Sequence, residues 1–284
     1  MWLFEQWWLY VILYLIFAVV FNQVYKVATQ KIKRAGALTV LLQTLAGVVA
    51  LVFIPVFGWQ LPTNAITYVL LAVACCFYAV SDRMTTDVRS QVEASTFSVI
   101  KQLSTAFLIV AGLVFMGEPV VATKIIGAVM IIGSNILLFF QPKTFAFDKG
   151  FLLGVVSQII FTVALFTDVN ISGQFNIPFY VAVTLIVPSL LICIFERITP
   201  KQLKEEFVDN KKPILITAAA WGPMIIVMLV AYNLGQVSVV APIAAITAIL
   251  NVFVGYFLLK EHTHLLRKII ASVVIIGAIF LINM

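Results

Sequence analysis

The chain is 284 residues long, 63% hydrophobic and only 11% charged, against about 45–50% apolar and about 25% charged in soluble domains. One globule of this size cannot hide that excess, so lipid must be the solvent for most of its surface, which excludes a soluble fold. The net charge of +6 calls for no nucleic-acid partner, because cytoplasmic loops of membrane proteins are normally basic.

In chain order, the N-terminus "MWLFEQWWLYVILYLIF" has no basic leader and no small-residue cleavage site, so a retained first span is expected rather than a signal peptide. Trp2, Trp7, Trp8 and Tyr10 form an aromatic belt at its outer end. Apolar segments of about 17–25 residues are long enough to cross a bilayer as helices. They are expected at 7–26, 36–58, 64–81, 94–117 and 122–140, then at 150–170, 175–196, 213–233, 238–259 and 265–283. The fold class is therefore an all-α integral membrane protein of ten transmembrane helices. The runs are continuously apolar rather than alternating, which excludes a β-barrel. Most connections are short, but the charged stretch "RITPKQLKEEFVDNKKP" (197–213) is long enough for a surface helix. Cys75, Cys76 and Cys193 all fall in apolar runs, so no disulfide framework is expected.

The cations sort by loop. The odd-numbered loops and the helix ends beside them hold sixteen Lys and Arg residues, among them Lys26, Arg83, Arg89, Lys149, Lys260 and Lys268. The even-numbered loops and both tails hold only Lys124. The positive-inside rule then puts the odd loops in the cytoplasm and both termini outside. The expected location is a bacterial or archaeal plasma membrane.

An internal repeat accompanies this alternation. "KIIGAVMIIGSNILLF" from Lys124 aligns with "KIIASVVIIGAIFLIN" from Lys268 at an offset of 144 residues. "LVFMGE" ending at Glu118 aligns with "YFLLKE" ending at Glu261 at an offset of 143. Half the chain is 142 residues, so 1–142 and 143–284 each form one five-helix unit. Five is odd, and the second unit must enter the membrane the opposite way round. Inverted repeats of this kind place a substrate site between the halves, near the bilayer midplane, and their rocking alternates access to it.

"LVFMGEPVVATKIIGAVMIIG" and "YFLLKEHTHLLRKIIASVVIIG", with the span count and the repeat, resemble the EamA-type transporters of the drug/metabolite transporter superfamily. The resemblance covers the whole chain. It implies a basket of ten helices around a central cavity lined by spans 1, 3, 4, 6, 8 and 9, and transport of amino acids, other small metabolites, nucleotide-sugars or drugs. The chain departs from the family in three respects. Val20 and Phe21 stand where Trp-Gly is common, Lys260 replaces the glycine of the second Gly-Glu, and many members have cytoplasmic termini.

Ionisable groups in a bilayer are costly, so each calls for a reason. In span 4, Ala94, Ser98, Lys101, Thr105, Leu108 and Gly112 share one helical face, with Gln102 beside it. Lys101 there could hold a carboxylate or phosphate as a point charge. It could also snorkel about 11–12 Å to the interface, or pair with Asp82 or Asp168. Asn22 near the inner end of span 1, Tyr78 of span 3, Trp221 and Tyr232 of span 8 and Asn251 of span 9 complete the candidate binding residues. Helix packing is the alternative for each. Asp82 and Asp168 are the candidates if protons drive transport. Gly222-Pro223 should interrupt span 8. Thr247 and Asn251 are i,i+4 neighbours whose counterparts lie in the polar part of span 4, yet the repeat sets Ala244 opposite Lys101, so the cation is not duplicated.

A secondary transporter of a small, amino-acid-like or anionic metabolite is therefore expected, working by exchange or with proton coupling, as monomer or homodimer, with neither cofactor nor metal. The alternatives are a lipid flippase on the same fold and an integral-membrane enzyme. For the enzyme, His262 and His264 are the only histidines. No phosphate loop, Cys-x-x-Cys or His-Glu-x-x-His pattern is present.

Overall fold

In lipid, a continuous apolar run satisfies its backbone by forming an α-helix. The computed structural model describes residues 6–104, 106–107, 122–139, 149–234, 240, 244, 246–262 and 264–282, leaving aside the side chains of 124, 135–139 and 169. Among these residues there is no strand. Ten α-helices follow one another: α1 (Trp7–Gln30), α2 (Ala35–Leu51), α3 (Ala65–Gln91), α4 (Ala94–Lys101), α5 (Ala122–Phe139), α6 (Lys149–Ile171), α7 (Ile177–Phe195), α8 (Pro200–Leu234), α9 (Ile246–Leu258) and α10 (Leu265–Ile282). Seven of them are long and apolar enough to cross a membrane: α1, α2 with its following turn, α3, α6, α7, α8 and α10. Thr105, Gly117 and Glu118, on which part of the sequence reading rests, lie outside the described residues.

Capping explains several helix starts. Asn64 Oδ1 accepts from Ile66 N at 3.0 Å at the start of α3, and Asn176 Oδ1 accepts from Phe179 N at 3.0 Å at the start of α7, with Pro178 in the first turn. The Asn176 amide also donates to the carbonyls of Phe57 and Gly58, tying the α2–α3 connection to that end of the bundle. The charged stretch after α7 does form a helix. It is the first part of α8, separated from the membrane-length part by non-helical Asn210 (φ −122°, ψ 16°), with Pro213 just beyond. That segment docks inward, because buried Glu206 accepts from the backbone N–H of Lys33 and Arg34 at 3.0 and 3.1 Å, at the start of α2.

The interruption expected at Gly222-Pro223 is corrected. Asn210 is where α8 leaves helical geometry, and the helix runs on through Gly222 and Pro223. Gly222 serves close packing instead. A Cβ built on it would lie 2.6 Å from the Ala46 carbonyl oxygen, so only glycine lets α8 approach the α2 backbone this closely.

α1 packs along α8, α3 along α6, α2 along α7, α5 along α10, and α4 against α9. One large core joins α1, α2, α7 and α8, and a second joins α4, α5 and α10. The outer faces are apolar as well, with Ile12 and Ile16 of α1, Val69 and Val73 of α3, and Val273 and Phe280 of α10 exposed. A bundle apolar inside and out is what lipid solvation requires.

The first, third, seventh and ninth loops gather at one end of the bundle. There Lys26 Nζ donates to the Arg89 carbonyl at 2.8 Å, Arg83 Nε to Glu196 at 2.5 Å, and the α9–α10 connection meets the start of α4. We call this the basic end.

Candidate functional site

Between the helices lies a cavity of about 200 Å³. Its wall takes residues from α1, α3, α4, α6, α7 and α8, with Ala244 and Thr247 from the α9 region. α3 contributes one stripe, Tyr78, Asp82, Thr85 and Arg89, at spacings of four, three and four that keep one helical face inward. α4 faces it with Phe97, Ser98, Lys101 and Gln102.

Of the residues singled out from sequence, Asn22, Tyr78, Ser98, Lys101, Gln102, Trp221 and Tyr232 all line this cavity, as do Asp82 and Asp168. Thr105 lies outside the described residues. Asn251 is corrected, since it does not line the cavity. It is fully buried, its amide donates to Thr247 O at 2.8 Å, and its carbonyl and side-chain oxygens each accept from Gln23 Nε2 at 3.1 Å. Asn251 thus joins α9 to α1.

The two acids differ in their surroundings. Asp168 is 4% exposed and held from both sides: Tyr78 donates to Oδ2 and Tyr180 to Oδ1, each at 2.5 Å. Asp82 accepts from Gln43 Nε2 at 2.8 Å. Neither acid forms an ion pair with Lys101, so the pairing considered from sequence is not made. The Lys101 ammonium has no hydrogen-bond or ion-pair partner among the described residues, and the residue lines the cavity.

Sequence reasoning missed Arg89, which it counted as a loop cation. The residue lies in the last turn of α3 and is 2% exposed. Its guanidinium carbon sits over the rings of Phe97, Tyr25 and Phe21, at 4.0, 4.6 and 5.1 Å from their centroids. Nη2 donates to Asn22 Oδ1 at 2.6 Å. Trp221 packs on Phe21 with centroids 5.1 Å apart, which extends the aromatic wall into α8. Phe21 is the residue that departs from the Trp-Gly of the resembled family. The spacing of Arg89 seven residues after Asp82 could have revealed it, had α3 been expected to run beyond residue 81. Tyr180, 102 residues after Tyr78 in sequence, had no such signal.

At the basic end, α4 is tied to the α9–α10 connection and to α10. Glu261 is 6% exposed and accepts from Ala94 N at 2.7 Å, from Ser95 N at 3.0 Å and from the Ser95 hydroxyl. Lys268, 2% exposed, pairs with Glu93 and donates to Ser95 Oγ at 2.8 Å. Lys260 takes φ 55°, a left-handed conformation in which glycine is unstrained. The described residues include no group of three or more metal-ligating side chains, and His262 packs edge-on to Tyr256 at 4.8 Å.

No family model and no curated protein matches the chain. A solved structure described only as "Crystal structure of protein" is similar over 96% of this chain and 94% of its own, with a TM-score of 0.57 and 12% identity. At that identity the likeness shows a shared fold and nothing of activity.

Proposed function

We propose that the chain is a secondary transporter resembling the EamA type, which moves a small organic solute across a bacterial or archaeal plasma membrane by alternating access. Residues 1–142 and 143–284 are then inverted five-helix repeats that cross the bilayer ten times. The basic end is cytoplasmic and both termini are outside. The observation that carries the proposal is the cavity of about 200 Å³, walled by helices from both halves inside a bundle with an apolar surface, and furnished with ionisable groups. Such groups are costly at membrane depth and mark substrate or ion pathways.

The packing supports the repeat. Exchanging each helix with the one five places on turns the α1–α8 pair into α6–α3, and returns α2–α7, α4–α9 and α5–α10 onto themselves. A two-fold relation between the halves has that property.

The test is exchange by the purified protein in proteoliposomes, with a panel of radiolabelled metabolites and an imposed pH gradient as a second arm. Protein-dependent counterflow of a member of the panel is expected, and the pH arm separates exchange from proton coupling. Release of chemically altered solute would put an enzyme in its place, and scrambling of labelled lipid without solute exchange would put a flippase there.

A further inference from the structure

Arg89 is a cation that the fold buries and leaves largely unanswered. Arginine cannot shed its charge to escape burial. Yet it forms no ion pair among the described residues, and its Nε and Nη1 are buried without a hydrogen-bond partner. The faces of Phe21, Tyr25 and Phe97 attract it, but ring-face attraction returns only part of the hydration lost. Orphaned donors of this kind call for an explanation, and a ligand is one of the few available.

The neighbours sharpen the case. Lys101, one helix on, presents a second cation to the same cavity without a partner among the described residues. Neither of the cavity's acids forms an ion pair with the two cations. Asp168 accepts from two tyrosine hydroxyls, and Asp82 accepts from Gln43 through one oxygen, while its charge acts on both cations from a distance. The wall therefore offers cationic donors with no carboxylate in contact among the described residues. Beyond them, Trp221 and Met224 make an apolar surface, 6% and 4% exposed.

We propose that Arg89 is the anion-recognising group of the cavity. With Lys101 it takes the carboxylate of a small organic acid, whose apolar body lies against Phe21, Trp221 and Met224. The aromatic clasp and the Asn22 bond fix the plane of the guanidinium, so Nε and Nη1, closed off in this structure, are already oriented for a carboxylate once the lining side chains give way to it. A monoanion suits the site better than a phosphate ester, which would bring a second negative charge into a cavity that also holds Asp82. The inference rests on the transporter proposal for the site alone, because binding is measurable without transport.

The test uses the full-length purified protein and thermal-shift and calorimetric titrations. The probes are acetate, butyrate, benzoate and 3-phenylpropionate, each against its neutral amide, with phenyl phosphate as a third arm. Stabilisation by at least one carboxylate and not by its amide is expected. Arg89→Lys keeps the charge but loses the planar fork, and is expected to weaken that carboxylate at least tenfold. Lys101→Gln should weaken it less, and both variants should bring carboxylate and amide affinities closer together. A merely structural arginine would leave that ratio unchanged. No carboxylate-dependent shift across the panel, an unchanged carboxylate-to-amide ratio in Arg89→Lys, or tighter binding of phenyl phosphate would each overturn the proposal. Carboxylate binding without exchange in vesicles would sink the transporter instead. Exchange of a solute with no carboxylate preference would sink only the role given to Arg89.

Discussion

Glu261 reaches across from the α9–α10 connection to the first turn of α4, and its replacement by alanine tests how much that contact contributes to stability. The carboxylate accepts from two backbone N–H groups, Ala94 and Ser95, and from the Ser95 hydroxyl. Side-chain caps of helix starts are worth about 0.5–2 kcal/mol, and each buried donor left without a partner costs about 1–3 kcal/mol. Because Glu261 is 6% exposed, water can replace it only in part. A loss of about 2–4 kcal/mol is therefore expected for Glu261→Ala. Glu261→Gln keeps one carbonyl acceptor but turns an amide donor toward the other N–H, and should cost about half as much. Ser95→Ala, which removes one hydroxyl, should cost about 1 kcal/mol. A double-mutant cycle between Glu261→Ala and Ser95→Ala should show coupling, because the two side chains touch. The assay is reversible unfolding in detergent micelles, followed by circular dichroism. A Glu261→Ala protein within about 0.5 kcal/mol of the parent, the usual range for a surface change, would refute the assignment.

Three further outcomes are expected. Gly222→Ala forces a methyl group to 2.6 Å from the Ala46 carbonyl; overpacking against a backbone atom should destabilise by about 1–3 kcal/mol, visible as a lower Tm. Lys260→Gly relieves the left-handed conformation at φ 55° and should stabilise by up to about 1 kcal/mol after the extra backbone entropy of glycine is subtracted; an unchanged or lower Tm would count against strain there. The pKa of Lys33, in the α1–α2 connection, is raised above 10.5 by its hydrogen bond and charge contact with Asp209. A cation whose pKa is raised by folding contributes fully below the unfolded value and loses that contribution as pH climbs through the folded one. The pairing should therefore be constant from neutral pH to about pH 9.5 and fade only above 10.5. The NMR titration of ¹³C-methylated lysines checks this, with Asp209→Asn expected to return the Lys33 midpoint toward the ordinary value.

Part of the site was legible because it follows helical periodicity. Ser98 and Lys101 share a face by spacing alone, and so do Tyr78 and Asp82, and all four line the cavity. Arg89 escaped because α3 extends to Gln91, nearly three turns past the end that hydropathy assigns, and a window average cannot see that a polar helix end is buried. Asn251 was misplaced for the complementary reason. Polarity and spacing put it on a helix face, but they do not say which neighbour that face meets, and Gln23 of α1 takes it up. The expected break at Gly222-Pro223 failed because glycine has two uses. Here it admits the α2 backbone, while the chain leaves helical geometry at Asn210.

What the sequence determined by itself was the helical secondary structure, with runs long and apolar enough to cross a membrane. Hydropathy is a sum over neighbouring residues, so such runs are legible from local composition. What only the tertiary structure decided was which polar groups answer one another. Glu261 meets Ala94 and Ser95 across 167 and 166 residues, and Tyr78 meets Asp168 across 90. Such pairings depend on how helices rotate and approach one another in three dimensions. Local composition carries no record of that, and so it is the packing of the helices that leaves Nε and Nη1 of Arg89 buried without a hydrogen-bond partner among the described residues.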